Sequence, residues 1–302
     1  MKRNRFLWFN ICMFVSNEWK SYQCIDAGDK KRLEIWDNVT LNRPDPTCIW
    51  DKTLKDDLWN KADAIYHRSN KGGGHWEFKK KIKESWTIDY KDLKFKVSPT
   101  GFKHTGLFPE QATNWDLIMD LIRQSGRNDI KVLNLFAYSG GATMAASKAG
   151  AKEVVHVDAS KGMIAWAKEN MQLNQLQDHT IRFMVDDCMK FIQREIRRGN
   201  HYDGIILDPP SYGRGPNGEL WKLEEQLAQL VSLSAQLLSD DPLFYIINCY
   251  TSGFSQTTLY NILSTKLPKN NRHLVVDEIG LPINSSDLII PCGIVGRGIY
   301  AY

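Results

Sequence analysis

The chain has 302 residues, of which 42% are hydrophobic and 25% charged, enough for a sizeable core in one large domain or two ordinary ones. This composition excludes a disordered or low-complexity chain. The 39 basic and 35 acidic side chains permit an anionic partner without requiring one. The six cysteines form no C-x-x-C pair, so we predict no metal site and a reduced, cytoplasmic compartment.

Residues 1–19 are predicted to be an N-terminal extension. The first 15 residues combine a basic start with a short apolar run, which is the outline of a secretory signal. However, Asn10 interrupts the run and no small-residue cleavage site follows it. We therefore expect an extension, or a start codon placed too early with Met13 as the true start. No other apolar run approaches the roughly 20 residues that cross a bilayer, so we expect no membrane partner.

Residues 20–100 are predicted to form a small β-rich domain that is a candidate substrate contact. Turn signals separate alternating stretches between residues 22 and 46, which predicts a β-meander. The prolines within residues 43–50 exclude a helix there, and we expect a loop from that point to Gly74. Residues 86–99 are typical of a hairpin that turns near Lys91.

Residues 101–302 are predicted to form an α/β domain. Apolar residues at helical spacing predict a helix from about residue 111 to Gly126. Seven largely apolar strands follow, at residues 132–136, 153–158, 181–186, 203–208, 243–249, 273–280 and 288–294. Helices are predicted between the first five strands, at residues 141–149, 161–172, 189–197 and 219–238. This alternation predicts a doubly wound, seven-stranded, mostly parallel sheet. The last two strands should pair antiparallel, because the loop between them is too short for a crossover.

Four aspartates follow the second, third and fourth of these strands, namely Asp158, Asp186, Asp187 and Asp208. Ligands of such sheets bind beyond the carboxyl ends of the strands. Asp158 lies about 20 residues after the first turn, the distance at which an acid binds a ribose diol. The alternative is that Asp158 caps the next helix. The four acids together predict a ligand that contains a nucleoside.

The turn after the first strand, residues 134–140, is unlike a phosphate-binding loop. It carries Phe136 and Tyr138 where a dinucleotide-binding turn needs glycine. A ligand with an adenosine but no phosphate would suit such a turn.

Four segments resemble the class I S-adenosylmethionine (SAM) methyltransferases, and more narrowly the large-subunit ribosomal RNA methyltransferases of the cytosine-carbon-5 and guanine type. They are the L-x-x-F-x-Y-S-G turn at residues 133–140, the segment 183–189, the D-P-P at 208–210, and 103–111, which is similar to a K-T-G-x-[FY]-x-x-[DE]-Q stretch. The resemblance covers residues 86–302 and implies a Rossmann-like fold with SAM as cofactor. The residues before 86 match the family poorly.

The resemblance implies roles for individual residues. The turn from Phe136 to Gly140 would surround the methionine part of SAM, and Asp158 would bind the ribose hydroxyls. Asp187, with Asp186 as the alternative, would accept a hydrogen bond from the adenine amino group. The full set of candidate cofactor residues is Thr105, Phe108, Gln111, Asn134, Phe136, Ala137, Tyr138, Ser139, Gly140, Asp158, Ala159, Ser160, Asp186, Asp187, Cys188 and Asp208. Phe108 and Gln111 would close over the cofactor.

Asp208, Pro209 and Pro210 are the first candidates for catalysis. Two consecutive prolines make a rigid loop, and amino-methylating enzymes use such loops to accept hydrogen bonds from a flipped base. Those enzymes place an aromatic residue directly after the prolines, whereas here Ser211 stands there and Tyr212 follows. The alternative is a rigid turn with a buried capping aspartate.

Cys249, at the end of the fifth strand, is the other catalytic candidate. A thiolate at this place could attack carbon 6 of cytosine while Asp208 steadies the ring. Free cysteines are also common in cores, where burial makes them inert, and no histidine or lysine adjoins Cys249 in sequence. We therefore expect direct attack on SAM by a base nitrogen instead.

Two segments are candidates for contacting RNA. The run from Lys79 to Lys83 is flanked by Trp76, Phe78 and Trp86, which suits a single-stranded RNA surface; the alternative is a solvated basic face. Residues 212–221 are rich in glycine and contain Arg214, which favours a mobile lid that contacts a phosphate. An ordinary surface loop would have the same composition.

The sequence therefore predicts a cytoplasmic SAM-dependent methyltransferase whose substrate is a base of RNA, specifically ribosomal RNA. One alternative is a methyltransferase of a protein or small molecule, with the N-terminal domain as a lid. The other is a non-catalytic SAM-binding module that docks on RNA, against which the presence of Asp208 argues. The oligomeric state stays open.

Overall fold

The computed structural model describes residues 13–69, 73–214, 220–250 and 253–300. Its N-terminal part is built almost entirely of strands: β1 (Met13–Val15), β2 (Tyr22–Gly28), β3 (Lys31–Trp36), β4 (Val39–Pro44), α1 (Asp56–Trp59), β5 (Ala64–Arg68), β6 (Gly74–Phe78), β7 (Trp86–Tyr90) and β8 (Leu93–Val97).

Strands and helices alternate in the rest of the chain, as predicted. The elements are α2 (Ala112–Ser125), β9 (Lys131–Leu135), α3 (Gly141–Lys148), β10 (Glu153–Asp158), α4 (Lys161–Leu173), β11 (Ile181–Val185), α5 (Cys188–Arg198), β12 (Gly204–Leu207), β13 (Tyr212–Arg214), β14 (Leu220–Lys222), α6 (Leu223–Ser234), β15 (Phe244–Cys249), α7 (Gln256–Lys266), β16 (Arg272–Pro282) and β17 (Ile289–Tyr300). The predicted helix at 219–238 is shorter at both ends, because residues 220–222 belong to β14 and residues 235–237 form a separate 3-10 turn.

The large sheet has the strand order β1-β16-β17-β15-β12-β9-β10-β11 in the described residues. It is parallel except at β17, which runs antiparallel to both β15 and β16, so the predicted fold class is confirmed. The chain leaves β9 towards β10 on one side and returns to β12 on the other. This reversal places the switch point, where ligands bind in such sheets, beyond the carboxyl ends of β9 and β12.

Strand β1 is an eighth strand that the sequence pattern did not predict. Met13 to Val15 pair in parallel with Glu278 to Gly280 of β16, and the Ser16 hydroxyl donates to the Pro109 carbonyl at 2.9 Å. Three residues are too few to show a period of two. Part of the predicted extension therefore belongs to the large sheet.

The N-terminal strands β2 to β6 form a separate five-stranded sheet. The predicted meander is confirmed in the antiparallel strands β2, β3 and β4. The segment expected to be a loop up to Gly74 instead contains α1 and β5, and β5 pairs in parallel with β4. That pairing joins residues distant in sequence, so local pattern does not reveal it; Gly72 lies outside the described residues.

The predicted hairpin is confirmed as β7 and β8, with Lys91 in the left-handed region at the turn. It packs on α4, where the side-chain oxygens of Asn170 and Asn174 accept from the Lys96 and Lys94 backbone N–H groups at 2.8 and 2.9 Å. The hairpin is thus attached to the α/β layer. The domain boundary near residue 100 stays a prediction.

Within the described residues, no helix has the length and apolar character that crossing a membrane requires. Helix α2 ends, as predicted, at Gly126, which is left-handed with a φ of 64°. Helix α4 is capped by Ser160 and α5 by Asp187. These caps fix the directions in which the strand-end segments enter the two helices.

Gly106, the glycine of the segment 103–111, should tolerate a side chain poorly. Its φ is +91°, and an added Cβ would lie 2.2 Å from the Trp166 ring. Gly150 has a φ of +105° with open space around it, so it controls for backbone strain alone. We expect Gly106→Ala to lower the free energy of unfolding by about 1–3 kcal/mol more than Gly150→Ala, the range for overpacking. Urea denaturation measures both, and equal losses would contradict a packing role for Gly106.

Candidate active site

Two adjoining cavities lie at the carboxyl ends of the central strands. The outer one has a volume of about 400 Å³ and is lined by His104, Phe108, Phe136, Tyr138, Asp158, Ala159, Asp187, Met189, Asp208, Pro209, Pro210, Gly213, Trp221 and Tyr250. The inner one is a narrow cleft of about 40 Å³ bordered by Leu107, Phe108, Gln111, Trp115, Asn134, residues 136–142, Ile206, Asp208 and Asn248. The structure thus brings together most of the predicted cofactor residues with Asp208 to Pro210.

Five predicted residues border neither cavity: Thr105, Ser160, Asp186, Cys188 and Cys249. His104, Met189, Trp221 and Tyr250 border the outer cavity although the sequence analysis did not select them. Trp221 is the last residue of the predicted lid, and Tyr250 directly follows Cys249 in sequence. Aromatic residues at the ends of those segments were therefore the signal that could have found them.

The turn after β9 has a strained backbone. Phe136 and Tyr138 have φ angles of 54° and 51°, in a region that costs side-chain-bearing residues free energy and often marks functional sites. Three hydrogen bonds hold the turn: Tyr138 N–H to Asp158 Oδ2 at 2.9 Å, Ala137 N–H to the Val157 carbonyl at 3.1 Å, and Phe136 N–H to Cys188 Sγ at 3.3 Å.

The strained turn places its two aromatic rings at the cavity. The Phe136 ring lies 5.5 Å from the Trp221 ring, and the Tyr138 ring lies 5.4 Å from that of Phe108. At Gly140 the φ is 87°, and a Cβ would meet Ala167 and Met144 at 3.2 and 3.3 Å. The turn therefore needs glycine at its end and tolerates large rings before it.

Asp158 supports this turn and also borders the outer cavity. Its Oδ1 accepts from the Ser160 N–H at 2.8 Å, while the Ser160 hydroxyl accepts from Met163 N–H at the start of α4. The helix cap is thus Ser160, not Asp158. Burial raises the pKa of Asp158, and the N–H groups of Ser160 and Tyr138 oppose that shift. Each carboxylate oxygen accepts more than one hydrogen bond, so Asp158 keeps capacity for a ligand.

The structure distinguishes between the two aspartates after β11. Asp186 forms an ion pair with Arg194 and accepts the Asp187 N–H on its other oxygen, at 2.9 Å. Asp187 borders the outer cavity and uses Oδ1 to cap α5, accepting from Lys190 N–H at 2.8 Å. Of the two, Asp187 is the one placed to meet a ligand.

Three of the remaining predicted residues support the site from behind. The Cys188 thiol is buried and accepts the Phe136 backbone N–H. Cys188 is also the first residue of α5, and helix geometry leaves the backbone N–H at that position without a partner within the helix. The Ser139 hydroxyl donates to the Gly106 carbonyl. Asn134 donates to the Thr143 hydroxyl at 2.9 Å. Each of these contacts holds the turn or its neighbouring segment in place.

Asp208 has a strongly perturbed environment in the cavity. Its Oδ1 is buried without a protein hydrogen-bond partner. Burial, and then the nearby Glu110, raise the pKa of Asp208 to about 7, while a hydrogen bond from Tyr250 lowers it. A carboxyl group that changes charge near neutral pH and has an unused oxygen is suited to receiving a donor from a substrate.

A chain of buried polar groups leads from β17 to Asp208. Arg297, which is 7% exposed, donates to Asn114 Oδ1 at 2.9 Å. Asn114 Nδ2 donates to Gln111 Oε1 at 2.9 Å, and Gln111 Nε2 donates to the Tyr250 hydroxyl.

This chain has a fixed direction. Because arginine has donors only, Asn114 must present its oxygen to Arg297 and its nitrogen to Gln111. Gln111 must then present its own nitrogen to Tyr250, so the Tyr250 O–H is left to donate to Asp208. Gln111, expected to close over the cofactor, therefore also orients the donor that meets the carboxylate.

The loop after Asp208 is joined to a hairpin formed by β13 and β14, the described ends of the predicted lid. The Trp221 indole N–H donates to the Pro210 carbonyl at 2.6 Å. Tyr212 is 56% exposed and does not border the cavity. The aromatic ring beside the prolines is therefore Trp221. Residues 215–219 and the Arg214 side chain, expected to contact a phosphate, lie outside what is described.

Cys249 points away from the cavities. It is 1% exposed and packs in the core, whereas its neighbour Asn248 borders the inner cleft. Successive strand residues face opposite sides of a sheet, and here the cleft lies on the side of Asn248. Burial, and then Asp208, raise the pKa of the Cys249 thiol to about 12. The geometry gives no support to Cys249 as a thiolate nucleophile, the candidate role that the sequence analysis ranked below direct attack by a base nitrogen.

Fewer aromatic rings beside the basic run at Lys79 to Lys83 are available for stacking on bases than the sequence suggests. The indole of Trp76 donates to the Thr100 carbonyl and that of Trp86 to the Trp36 carbonyl. Phe78 is 54% exposed. Lys80 pairs with Asp63 at 2.5 Å. The run keeps a basic surface with one exposed ring.

The two cavities contain three aspartates and, among their described lining residues, neither lysine nor arginine. A phosphate-bearing dinucleotide would find no cation there. A ribose diol and a sulfonium cation both fit acidic acceptors and aromatic faces. The site is therefore that of a doubly wound protein that binds a nucleoside with a positive rather than a negative group.

Comparison with known proteins agrees with this class. The family described as S-adenosylmethionine-dependent methyltransferase matches residues 63–249. A SAM-dependent methyltransferase from Agrobacterium tumefaciens has a crystal structure 32% identical in sequence, with a TM-score of 0.91 over 96% of this chain and 93% of that one. A tRNA m1G37 methyltransferase from M. jannaschii shares the fold, with 12% identity and a TM-score of 0.54 over 93% and 75% of the two chains.

The curated relatives cover less of the chain. Ribosomal RNA large subunit methyltransferase K/L of Shewanella baltica is 37% identical over 154 residues, which are 51% of this chain and 20% of that protein. The chain thus matches one part of a longer relative. On the family match and the Agrobacterium structure, the chain belongs to the SAM-dependent methyltransferases, and its cofactor is SAM.

The raised pKa of Asp208 should show in the stability of the protein. The folded-state pKa, about 7, exceeds the usual carboxyl value, so ionisation of Asp208 costs stability as the pH rises from about 4 to about 7. We expect Asp208→Asn to raise the melting temperature at pH 8 and to have little effect at pH 4, as measured by thermal unfolding.

Asp45 is the matched control, because its pKa is shifted in the opposite direction. Arg32 and hydrogen bonds from Thr47 outweigh burial and lower the pKa of Asp45 to about 2. Its stabilising effect is therefore present above about pH 4 and lost as the pH falls through 2. Asp45→Asn should lower the melting temperature at pH 8. If both variants were destabilised alike at pH 8, the assigned environment of Asp208 would be incorrect.

Proposed function

We propose that this protein transfers the methyl group of SAM to a nitrogen of an RNA base, specifically in ribosomal RNA. The observation that carries the proposal is the unpartnered, buried Asp208 oxygen at the wall of a cavity of about 400 Å³. Pro209 and the rings of Phe136 and Trp221 line the same cavity. A flat base with a hydrogen-bond donor on its edge matches these surfaces.

In this proposal the cofactor lies between the strand ends of β9, β10 and β11. Asp158 binds the ribose hydroxyls, and Asp187 accepts from the adenine amino group. The turn from Phe136 to Gly140 surrounds the methionine part, and Phe108 closes over it. SAM supplies an electrophilic methyl group; the protein contributes position and the exclusion of water.

The target base lies on the other side of Asp208. Asp208 and the Pro209 segment orient the attacking nitrogen, and the raised pKa suits Asp208 to accepting its proton. Cys249 has no part in this scheme, because its thiol is buried in the core. The proposal thus favours direct transfer to nitrogen over addition of a thiolate to carbon 6.

Two further observations favour RNA as the substrate. The curated relatives that match half of this chain are named for large-subunit ribosomal RNA. The run from Lys79 to Lys83 remains a basic surface, with Lys81, Lys83 and Phe78 exposed. We also propose a cytoplasmic location. The cysteines among the described residues are free, which is consistent with a reducing compartment.

The cofactor assignment is tested by SAM affinity. A hydrogen bond to a charged acceptor contributes roughly 1.5–3 kcal/mol, so Asp158→Ala should weaken SAM binding by about tenfold or more. Asp186→Ala is the control, because Asp186 is paired with Arg194 and does not border the cavity. Calorimetry on both variants and the parent protein measures the effect. Unchanged affinity in Asp158→Ala, or an equal loss in Asp186→Ala, would refute the assignment.

The reaction is tested by incubating the protein with labelled SAM and unmodified ribosomal RNA, followed by nucleoside mass spectrometry. We expect a nitrogen-methylated nucleoside. Asp208→Ala should nearly abolish its formation, since general acid–base groups contribute roughly 10²–10⁴-fold to the rate. Cys249→Ala should keep the rate within about tenfold, because the thiol has no role in the proposed reaction. Loss of activity in Cys249→Ala, with a covalent adduct on a fluorinated cytosine, would instead establish the thiolate mechanism. Absence of any labelled nucleoside would contradict the proposal that ribosomal RNA is the substrate.

A further inference from the structure

A separate cavity of about 360 Å³ adjoins the methyl-transfer site. One of its walls comes from the N-terminal sheet, with Arg32 and Arg43, and another from the segment that contains Lys103. His104, Phe108, Pro210 and Tyr250 line both this cavity and the outer cavity of the active site. A ligand that filled one cavity could therefore extend into the other across these four residues.

The two arginines of this cavity are already paired. Arg43 binds Glu34 through two hydrogen bonds of 2.6 and 2.8 Å, and Arg32 pairs with Asp45. Glu34 is fully buried. These pairs position the guanidinium groups without leaving either one uncompensated.

Lys103 differs from the arginines. Within the described part of the chain, no carboxylate lies within 4.0 Å of its ammonium group. Burial lowers the pKa of Lys103, and Arg32 and Arg43 add to that effect against the opposing influence of Asp45. Glu110, at the same cavity, is buried, and burial raises its pKa. An anion from outside would supply the partner that Lys103 lacks.

We propose that this cavity is a phosphate subsite, in which Lys103 binds a phosphodiester of the RNA whose target base enters the neighbouring outer cavity. The subsite rests on the proposed function, because it takes the flanking backbone of that same substrate. Contacts to phosphate position a nucleic acid without reading its sequence. Flipping a base out of a stack costs unstacking energy, and a phosphate contact beside the receiving pocket would offset part of that cost.

The two cavities differ in the charges of their described lining residues. The outer cavity has three aspartates and neither lysine nor arginine, and in this proposal it receives the cationic cofactor and the base. The second cavity has Arg32, Arg43 and Lys103 beside Asp45 and Glu110. Asp45 is paired with Arg32, and burial raises the pKa of Glu110, so Lys103 is the cation left to receive the anionic backbone. This arrangement favours RNA over a neutral small molecule. An acidic protein substrate would also bring anions, and the experiments below distinguish it.

The first experiment compares Lys103→Met with the parent protein, using labelled SAM and transcribed large-subunit ribosomal RNA. Loss of one phosphate contact should raise KM for RNA by about tenfold. It should also reduce the slope of log(kcat/KM) against log[salt] by about 0.7, the value for one contact to a single strand. We expect kcat and SAM affinity to stay unchanged, and Lys103→Arg to retain the parent KM.

Lys152→Met is the matched control. Lys152 is exposed and directly precedes β10, so it lies at the edge of the sheet opposite the strand ends that form the site. The Lys152→Met substitution removes the same charge far from the cavity and should leave KM and the salt slope as in the parent protein. Equal changes in the two variants would show a general effect of net charge and overturn the subsite.

A second experiment does not require RNA methylation. With the cofactor site saturated by S-adenosylhomocysteine, calorimetry compares the four ribonucleosides with their 5′-monophosphates. We expect the parent protein to bind a monophosphate about tenfold more tightly than its nucleoside, and Lys103→Met to lose that preference while Lys152→Met keeps it. Equal or undetectable binding of both ligands would overturn the subsite.

The two experiments separate this inference from the proposed function. If the parent protein methylates no RNA yet prefers the monophosphates through Lys103, the proposed function fails and the subsite stands. If it methylates RNA and Lys103→Met changes neither KM nor the salt slope, the function stands and the subsite fails. Ribosomal proteins added to the first reaction test the protein alternative: label in those proteins and none in RNA, together with no preference for the monophosphates, would overturn both.

Discussion

The hydrogen bond from the Tyr138 N–H to the Asp158 carboxylate joins the ends of two adjacent strands, and the geometry of the site depends on it. The turn it holds contains two non-glycine residues with left-handed φ angles, each of which costs roughly 1–2 kcal/mol. Such a turn persists only where its surroundings compensate the strain. In return it aims the rings of Phe136 and Tyr138 at the cavity.

The two neighbouring cavities differ in their charged groups. The outer cavity has carboxylates and aromatic faces, whereas the cavity beside it has two arginines paired with carboxylates, a buried Glu110, and Lys103, which has no carboxylate partner among the described residues. Phe108 and Tyr250 belong to the wall that both share. Charges of opposite sign attract strongly at short range in a medium of low dielectric constant. In the function that we propose, the two cavities accept a cationic cofactor and an anionic polymer within a short distance.

The Asp208 carboxyl group, for which we propose a catalytic role, illustrates a compromise between stability and function. A buried chain from Arg297 through Gln111 directs the Tyr250 hydroxyl towards Asp208, yet one Asp208 oxygen stays without a protein partner. An unsatisfied buried polar atom costs free energy. Natural active sites often accept such a cost, because the same atom is then available to a substrate.

The sequence alone determined the architecture of the large sheet and the edge at which the candidate site lies. Apolar strands that alternate with helices leave few arrangements other than a parallel, doubly wound sheet. Because parallel strands end at one edge, Asp158, Asp187 and Asp208 had to lie near each other whatever the details of packing. The hairpin of β7 and β8 was equally local and equally predictable.

Contacts between residues distant in sequence were decided only by the tertiary structure. Strand β1 pairs with β16 across more than 260 residues, and three residues have no period to detect. Every residue of β15 is buried, so no alternation of polar and apolar residues showed that Asn248, rather than Cys249, faces the cleft. The choice of Asp187 over Asp186 depended on Arg194, and the entry of Trp221 into the cavity depended on the Pro210 carbonyl. Local sequence determines which residues can occupy a strand end, but packing between distant segments determines which way their side chains point.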